Sequence, residues 1–322
     1  MIEAYHVGGE ALMRSEPGAL PVASAVWLDL IEPTAAEERE LEAVLGLDLP
    51  TREEMQEIEL SSRLYTEGPT LFMTAVVPAH ADADNPVVAP VTFALTAGKL
   101  ITIRYHNPSA FALFRHRAMK GDVPCQTGED TLISLLDALV DRLADILERV
   151  GRDIEALSRL IFAKPGAPRR ERTWQELLEE VGRKGDMVSV VRDSLGTLDR
   201  LAVFFGQKLR KDKVTDDVKS RLRDLSDDIK GLADHAGFVS QKVTFLLDAA
   251  LGLIGIEQNG IVKVLSVVSV VFLPPTLIAS VYGMNFADMP ELGKPYAYPV
   301  ALGAIFLSAV LPLLYFRLKR WL

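Results

Sequence analysis

Two uncharged runs of nineteen residues lie near the C-terminal end, 264–282 (VLSVVSVVFLPPTLIASVY) and 298–316 (YPVALGAIFLSAVLPLLYF). The fifteen residues between them hold Gly283, Met284, Asn285, Asp288 and Glu291. Within the first run Ser266, Ser269, Thr276 and Ser280 carry hydroxyls that are costly against lipid, although each can bond its own helix. Val262, Leu265, Ser269, Leu273, Thr276 and Ser280 step by three and four and share one helical face. A small, partly polar face interrupted by Leu265 and Leu273 suits a water-filled path with two apolar constrictions, which gate by dewetting. Plain helix–helix packing through small residues is the alternative. Upstream, Asp224, Asp227, Asp228, Asp234 and Asp248 lie on or near a stripe. A solvated helix face explains them in a single chain; several copies around an axis would turn each aspartate into a cation-attracting ring.

Covalent chemistry has no comparable support. The five histidines are scattered without H-E-x-x-H spacing, and no G-x-x-x-x-G-K-[ST] phosphate loop occurs. His80-Ala81-Asp82-Ala83-Asp84 could ligate a metal, but a polar loop between strands explains it equally well. The single cysteine, Cys125, excludes a disulfide framework and a cysteine-rich metal centre.

The elements that must position these residues follow from the pattern of apolar side chains. Each nineteen-residue run reaches about 28 Å as a helix, close to bilayer thickness. The pair predicts a membrane hairpin; two buried core helices are the alternative. Residues 215–282 contain no break signal before Pro274 and Pro275, and predict one helix of about 100 Å. Its cytoplasmic part carries a heptad series at Leu222, Leu225, Ile229, Leu232, Ala236, Val239, Val243, Leu246 and Ala250, which reads as a stalk. The two prolines free the carbonyls of Val270 and Val271, as a kink or as a hinge. Farther upstream, helices are predicted over 109–119, 130–162 and 171–205, with a turn at Lys164-Pro165-Gly166. Strands are predicted over 25–30, 71–77, 91–95 and 100–105. Thr34 with Glu37 spells a capping box.

Composition agrees with this division. The 322 residues carry a net charge of −9, but residues 262–322 hold five basic and two acidic side chains, a balance of +3, leaving −12 for the rest. The acidic bulk argues against a nucleic-acid partner. Lys263, Arg317, Lys319 and Arg320 flank the apolar runs, so the positive-inside rule predicts both termini in the cytoplasm. The opening MIEAYHVGGE has neither a basic start nor an apolar core and predicts no signal peptide.

Tyr282-Gly283-Met284-Asn285-Phe286, followed by Met289-Pro290-Glu291-Leu292, closely resembles the signature of the CorA family of magnesium and divalent-cation transport proteins. Ser269-Val270-Val271-Phe272-Leu273-Pro274-Pro275-Thr276 and the terminal Phe316-Arg317-Leu318-Lys319-Arg320-Trp321-Leu322 extend the resemblance over roughly 259–322. It implies an α+β membrane protein and a homopentameric funnel. The expected parts are an α/β/α cytoplasmic domain (1–214), a stalk helix (215–263), a pore-lining first transmembrane helix (264–282), an external loop (283–297), an outer second helix (298–316) and a basic cytoplasmic tail (317–322). It further implies a selectivity filter at Gly283, Met284 and Asn285, pore positions at Asn259, Leu265, Leu273, Thr276 and Ser280, and a regulatory metal contact at Asp224. Asp227, Asp228 and Asp248 are candidates for the same regulatory role, and Asp82, Asp84 or another acidic residue for an N-terminal partner of Asp224. Asp288 and Glu291 would attract cations outside. The implied activity is uptake of Mg²⁺, with Co²⁺ or Ni²⁺ also passing, gated by intracellular Mg²⁺ in the inner membrane, with no organic cofactor and no enzymatic step. The alternatives are a ZntB-like zinc transporter and a pore-less membrane-anchored sensor or scaffold.

Overall fold

The structure, a computed structural model, describes residues 1–16, 22–80, 86–163, 172–209, 215–284, 289–290 and 293–319. They fall into two compact units, Met1–Leu246 and Leu247–Leu322.

The first unit is built on a seven-stranded sheet. Its strands are β1 (Ile2–Gly8), β2 (Ala11–Arg14), β3 (Ala25–Ile31), β4 (Leu64–Glu67), β5 (Thr70–Ala79), β6 (Val87–Thr96) and β7 (Lys99–Arg104). They lie in the order β2-β1-β3-β7-β6-β5-β4. Only β3 and β7 run parallel; the other pairs are antiparallel. Tight turns close the β4–β5 and β6–β7 hairpins, with Gly68 and Gly98 at positive φ where a side chain would be strained.

Period-two alternation gives the sheet two apolar faces. On one, Leu28, Leu30, Phe72, Ile101 and Ile103 bury against α1 (Ala35–Leu45) and α2 (Arg52–Gln56) through Leu41 and Met55. Both helices open with capping boxes, Thr34 with Glu37 and Thr51 with Glu54. A short α3 (Leu60–Arg63) leads into β4. On the other face Trp27 stacks on Tyr5 and meets Phe114 edge-on, the latter carried by α4 (Ser109–Lys120). Then come α5 (Gly128–Ile161) and α6 (Trp174–Leu209). Gly128 lets α5 start hard against the β6–β7 turn: a Cβ there would lie 2.6 Å from the Lys99 carbonyl carbon.

One ion pair sits inside the second face. Arg104 donates to both carboxylate oxygens of Asp29 at 3.1 and 2.9 Å, and also to the His106 carbonyl and Asn107 Oδ1. Thr102 donates to Asp29 Oδ1, and Trp27 Nε1 donates to Thr102. Both charged side chains are 1% exposed. Every guanidinium nitrogen and both carboxylate oxygens of the pair are thus hydrogen-bonded, the condition for tolerating a buried charge.

From Asp216 to Tyr282 runs a single 67-residue helix, α7. Within the first unit it lies antiparallel to α6, where Gly206 approaches Leu222 and Gly185 approaches Val243. It runs parallel to α5, to which Arg221 and Lys242 reach with ion pairs to Asp130 and Glu155. The heptad residues Leu222, Leu225, Ile229, Ala236, Val239, Val243, Leu246 and Ala250 are all buried, with Leu232 half-buried. The predicted seam therefore exists, but it is consumed inside one chain as the third side of a helical bundle. The last element is α8 (Ala297–Leu318).

Four of the seven strands fall on the predicted runs; β2 and β4 are four-residue edge strands and β1 lacks clear alternation, so none of the three was predicted, nor were the short helices α2 and α3. The helix predictions over 109–119, 130–162 and 171–205 correspond to α4, α5 and α6 with ends displaced by up to four residues. The Lys164-Pro165-Gly166 turn, Asp82 and Asp84 lie outside the described residues.

Candidate functional site

The second unit contains the end of α7 and all of α8, both long and apolar enough to cross a membrane. The most apolar stretches of the two helices are only 6% and 0% buried. Core helices of a soluble protein would be largely covered, so that alternative is excluded. Exposed side chains such as Leu302, Phe306, Leu307 and Leu314 on α8 require lipid or further protein around them.

Burial on α7 is one-sided. Between 251 and 282 the buried residue is Val267, and Val271, Pro274 and Ile278 on the same face are half-buried. On α8 the half-buried row includes Ala301, Ile305, Ser308 and Pro312. The opposite face of α7 carries the sequence-predicted pore positions Asn259, Val262, Leu265, Ser269, Leu273, Thr276 and Ser280, every one exposed. Leu265 is 64% and Leu273 66% exposed in the chain. Among the described residues that face has no partner.

Three hydroxyls on the membrane part of α7 are held on their own helix. Ser266 donates to Val262 O, Ser269 to Leu265 O and Thr276 to Phe272 O, at 2.7–2.9 Å. This satisfies the donor and leaves the oxygen lone pairs facing outward, as acceptors for water. The helix continues through Pro274 and Pro275, whose missing N–H groups leave the Val270 and Val271 carbonyls without helical donors. It closes with Gly283 N–H on Ala279 O and Met284 N–H on Val281 O. Asn285, Asp288 and Glu291 lie outside the described residues.

The aspartates Asp224, Asp227, Asp228 and Asp248 are exposed, turned away from the buried seam. Among the described residues no three histidine, cysteine, aspartate or glutamate side chains converge to hold a metal. One neighbour was not legible in the sequence. Asp137 on α5 has its carboxyl pushed up to about 6 by burial, opposed by Arg221 at 3.7 Å and reinforced by the charges of Asp141 and Asp228. Its charged form is therefore disfavoured in the folded chain. The cost is absent below the ordinary carboxyl value, grows as pH rises through about 6, and is complete above it. Asp137→Asn should accordingly raise the melting temperature of the full chain in detergent near neutral pH, and do so much less at about pH 4. Cys125 is buried with its thiol pushed up to about 12 by burial, so it is inert.

Comparison with known proteins places this architecture. A family model described as CorA-like Mg²⁺ transporter protein matches residues 22–320. The chain belongs to the CorA family. Its full length is 35% identical to a magnesium transport protein CorA of Haemophilus influenzae and 36% identical to that of Escherichia coli, covering 100% of each. Among solved structures, the complete CorA magnesium transporter of Methanocaldococcus jannaschii superposes with a TM-score of 0.78 at 18% identity, over 100% of this chain and 99% of that one. The ZntB cytoplasmic domain of Vibrio parahaemolyticus superposes with a TM-score of 0.58 at 9% identity, over 79% of this chain and 97% of that one. The CorA fold of an N-terminal α/β domain, a long helix and a second apolar helix is thus present from end to end.

Proposed function

We propose that the chain is a CorA-type magnesium channel that takes up Mg²⁺ down its electrochemical gradient, in the inner membrane with both termini in the cytoplasm. The observation that carries this is the face of α7 from Asn259 to Ser280, which is exposed in the chain, lies opposite the side of α7 that is covered, and leads into Gly283-Met284-Asn285. Two membrane helices cannot enclose a pore alone, so several copies must turn that face to a common axis; family membership makes five the expected number. The lipid bilayer and four further copies of the chain are then its partners. Its domains take the roles their order suggests: 1–214 sensing, 215–263 stalk, 264–282 pore, 283–297 external loop, 298–316 outer wall and 317–322 basic tail.

Mg²⁺ sheds water reluctantly and prefers an octahedral oxygen shell. Carboxamides of five Asn285 residues accept hydrogen bonds from waters that remain on the ion, while Asp288 and Glu291 concentrate cations outside. Asn259 forms the inner mouth, and Leu265 and Leu273 the apolar constrictions. Two charges crossing about 100 mV gain roughly 4.6 kcal/mol, so the membrane potential drives uptake without an enzymatic step or an organic cofactor. Co²⁺ and Ni²⁺, of similar hydration, pass as well. The zinc-transporter reading is weaker, because the whole-chain relatives are magnesium transport proteins. A pore-less scaffold leaves the polar face of α7 unexplained. Expression in a bacterial strain lacking Mg²⁺ uptake tests the reading: growth restored at low external Mg²⁺ supports it, and no growth with the protein inserted refutes it.

Gating follows from charge. Intracellular Mg²⁺ bound between chains at Asp224, with the likewise exposed Asp227, Asp228 and Asp248 of α7 contributing, neutralises like charges and holds the pore closed. Loss of the ion lets them repel. Asp224→Lys should shift the internal Mg²⁺ concentration that halves transport at least several-fold; an unchanged value removes Asp224 from the mechanism.

A further inference from the structure

We infer that Phe238 and Phe245 form a second apolar constriction of the ion path, on the cytoplasmic part of α7, with Gln241 held between them. The inference rests on the channel reading and extends it to a part of the helix to which no conducting role has been assigned.

The pore face does not begin at Asn259. Gly231, Asp234, Phe238, Gln241, Phe245, Asp248, Gly252 and Gly255 precede it at alternating steps of three and four, which lead into Asn259 and Val262. All of these positions are exposed in the chain except the half-buried Gly255. Within the first unit the stripe lies opposite the seam that packs on α5 and α6. It is otherwise acidic, amide or glycine, yet it places two phenylalanines seven residues apart, 61% and 60% exposed.

Such side chains are not explained by solubility. A face opposite each chain's own packed side points to the axis of the ring. Both rings are also braced by an aromatic neighbour: His235 stacks on Phe238 with centroids 6.3 Å apart, and Phe162, at the end of α5, stacks on Phe245 at 6.1 Å. The braces limit the rotamers open to the two side chains. Five such rings at each level make two apolar collars bracketed by the carboxylates of Asp234 and Asp248. Collars of this kind close by excluding water, as at Leu273.

The test uses the full chain in liposomes with Cys125→Ala, so that an introduced thiol is the sole one, and a membrane-impermeant cationic methanethiosulfonate on both sides. Labelling of Gln241→Cys should block Mg²⁺ flux. The pair Phe238→Ser and Phe245→Ser should raise unlabelled flux several-fold and speed labelling at 241. Complete labelling, verified by mass, with unchanged flux would overturn the inference. So would an unchanged flux in the serine pair, or loss of the assembly on native gels, which would place the phenylalanines between subunits. Should the chain with only Cys125 replaced conduct no Mg²⁺, the channel reading itself fails, a result distinct from each of these.

Discussion

Replacing Asn285 by alanine should reduce Mg²⁺ uptake by roughly 100-fold or more while leaving the amount of assembled protein unchanged. The magnitude comes from multiplicity. If each carboxamide contributes only about 0.5 kcal/mol of net hydrogen bonding to the hydrated ion, five lost together amount to about 2.5 kcal/mol, close to two decades in occupancy. Asn285→Asp should fail differently. A ring of carboxylates binds the ion tightly and releases it slowly, so uptake would saturate at lower Mg²⁺ with a lower ceiling. Initial rates against external Mg²⁺ separate the two variants. Near-normal uptake by Asn285→Ala would show that the motif asparagine does not face the ion.

The second large effect lies far from the membrane. Arg104→Met should cost about 3–5 kcal/mol of stability, because it strands the Asp29 carboxylate, 1% exposed, with the Thr102 hydroxyl as its remaining donor. The double variant Asp29→Leu with Arg104→Met should recover most of that loss, since removing both charges removes the uncompensated one. Thermal melting of the full chain in detergent reads both changes. An Arg104→Met protein that melts with the parent would mean that the pair is not buried in the assembled molecule.

The membrane part of this protein was legible because lipid imposes simple rules. Nineteen uncharged residues must be helical, and the face from Asn259 to Ser280 follows from steps of three and four without any coordinates. The heptads of Leu222 to Ala250 were equally visible, and their burial is as expected. What covers them was not, because a row of apolar side chains states that it needs a partner and leaves the partner unnamed; α5 and α6 of the same chain supply it. The sheet was harder. Leu28, Leu30, Ile101 and Ile103 are buried on one side while Trp27, Asp29, Thr102 and Arg104 are buried on the other. Strands covered on both faces lose the alternation that marks a half-exposed strand. The Asp29–Arg104 pair could not be read at all, since it joins residues 75 positions apart. Asp137 needed coordinates for the same reason: its carboxyl is raised by burial and by the charges of Asp141 and Asp228, against the pull of Arg221, and these groups gather from two helices. Phe238 and Phe245 were visible in the sequence, and their exposure gave them meaning.

The most direct test of the central claim is Mg²⁺ flux through the purified full-length protein in liposomes loaded with a Mg²⁺-sensitive dye, with an imposed inside-negative potential. The account predicts rapid influx that grows with the potential, needs no nucleotide, and falls as internal Mg²⁺ accumulates. Correctly inserted, assembled protein that passes no Mg²⁺ under that potential would contradict it.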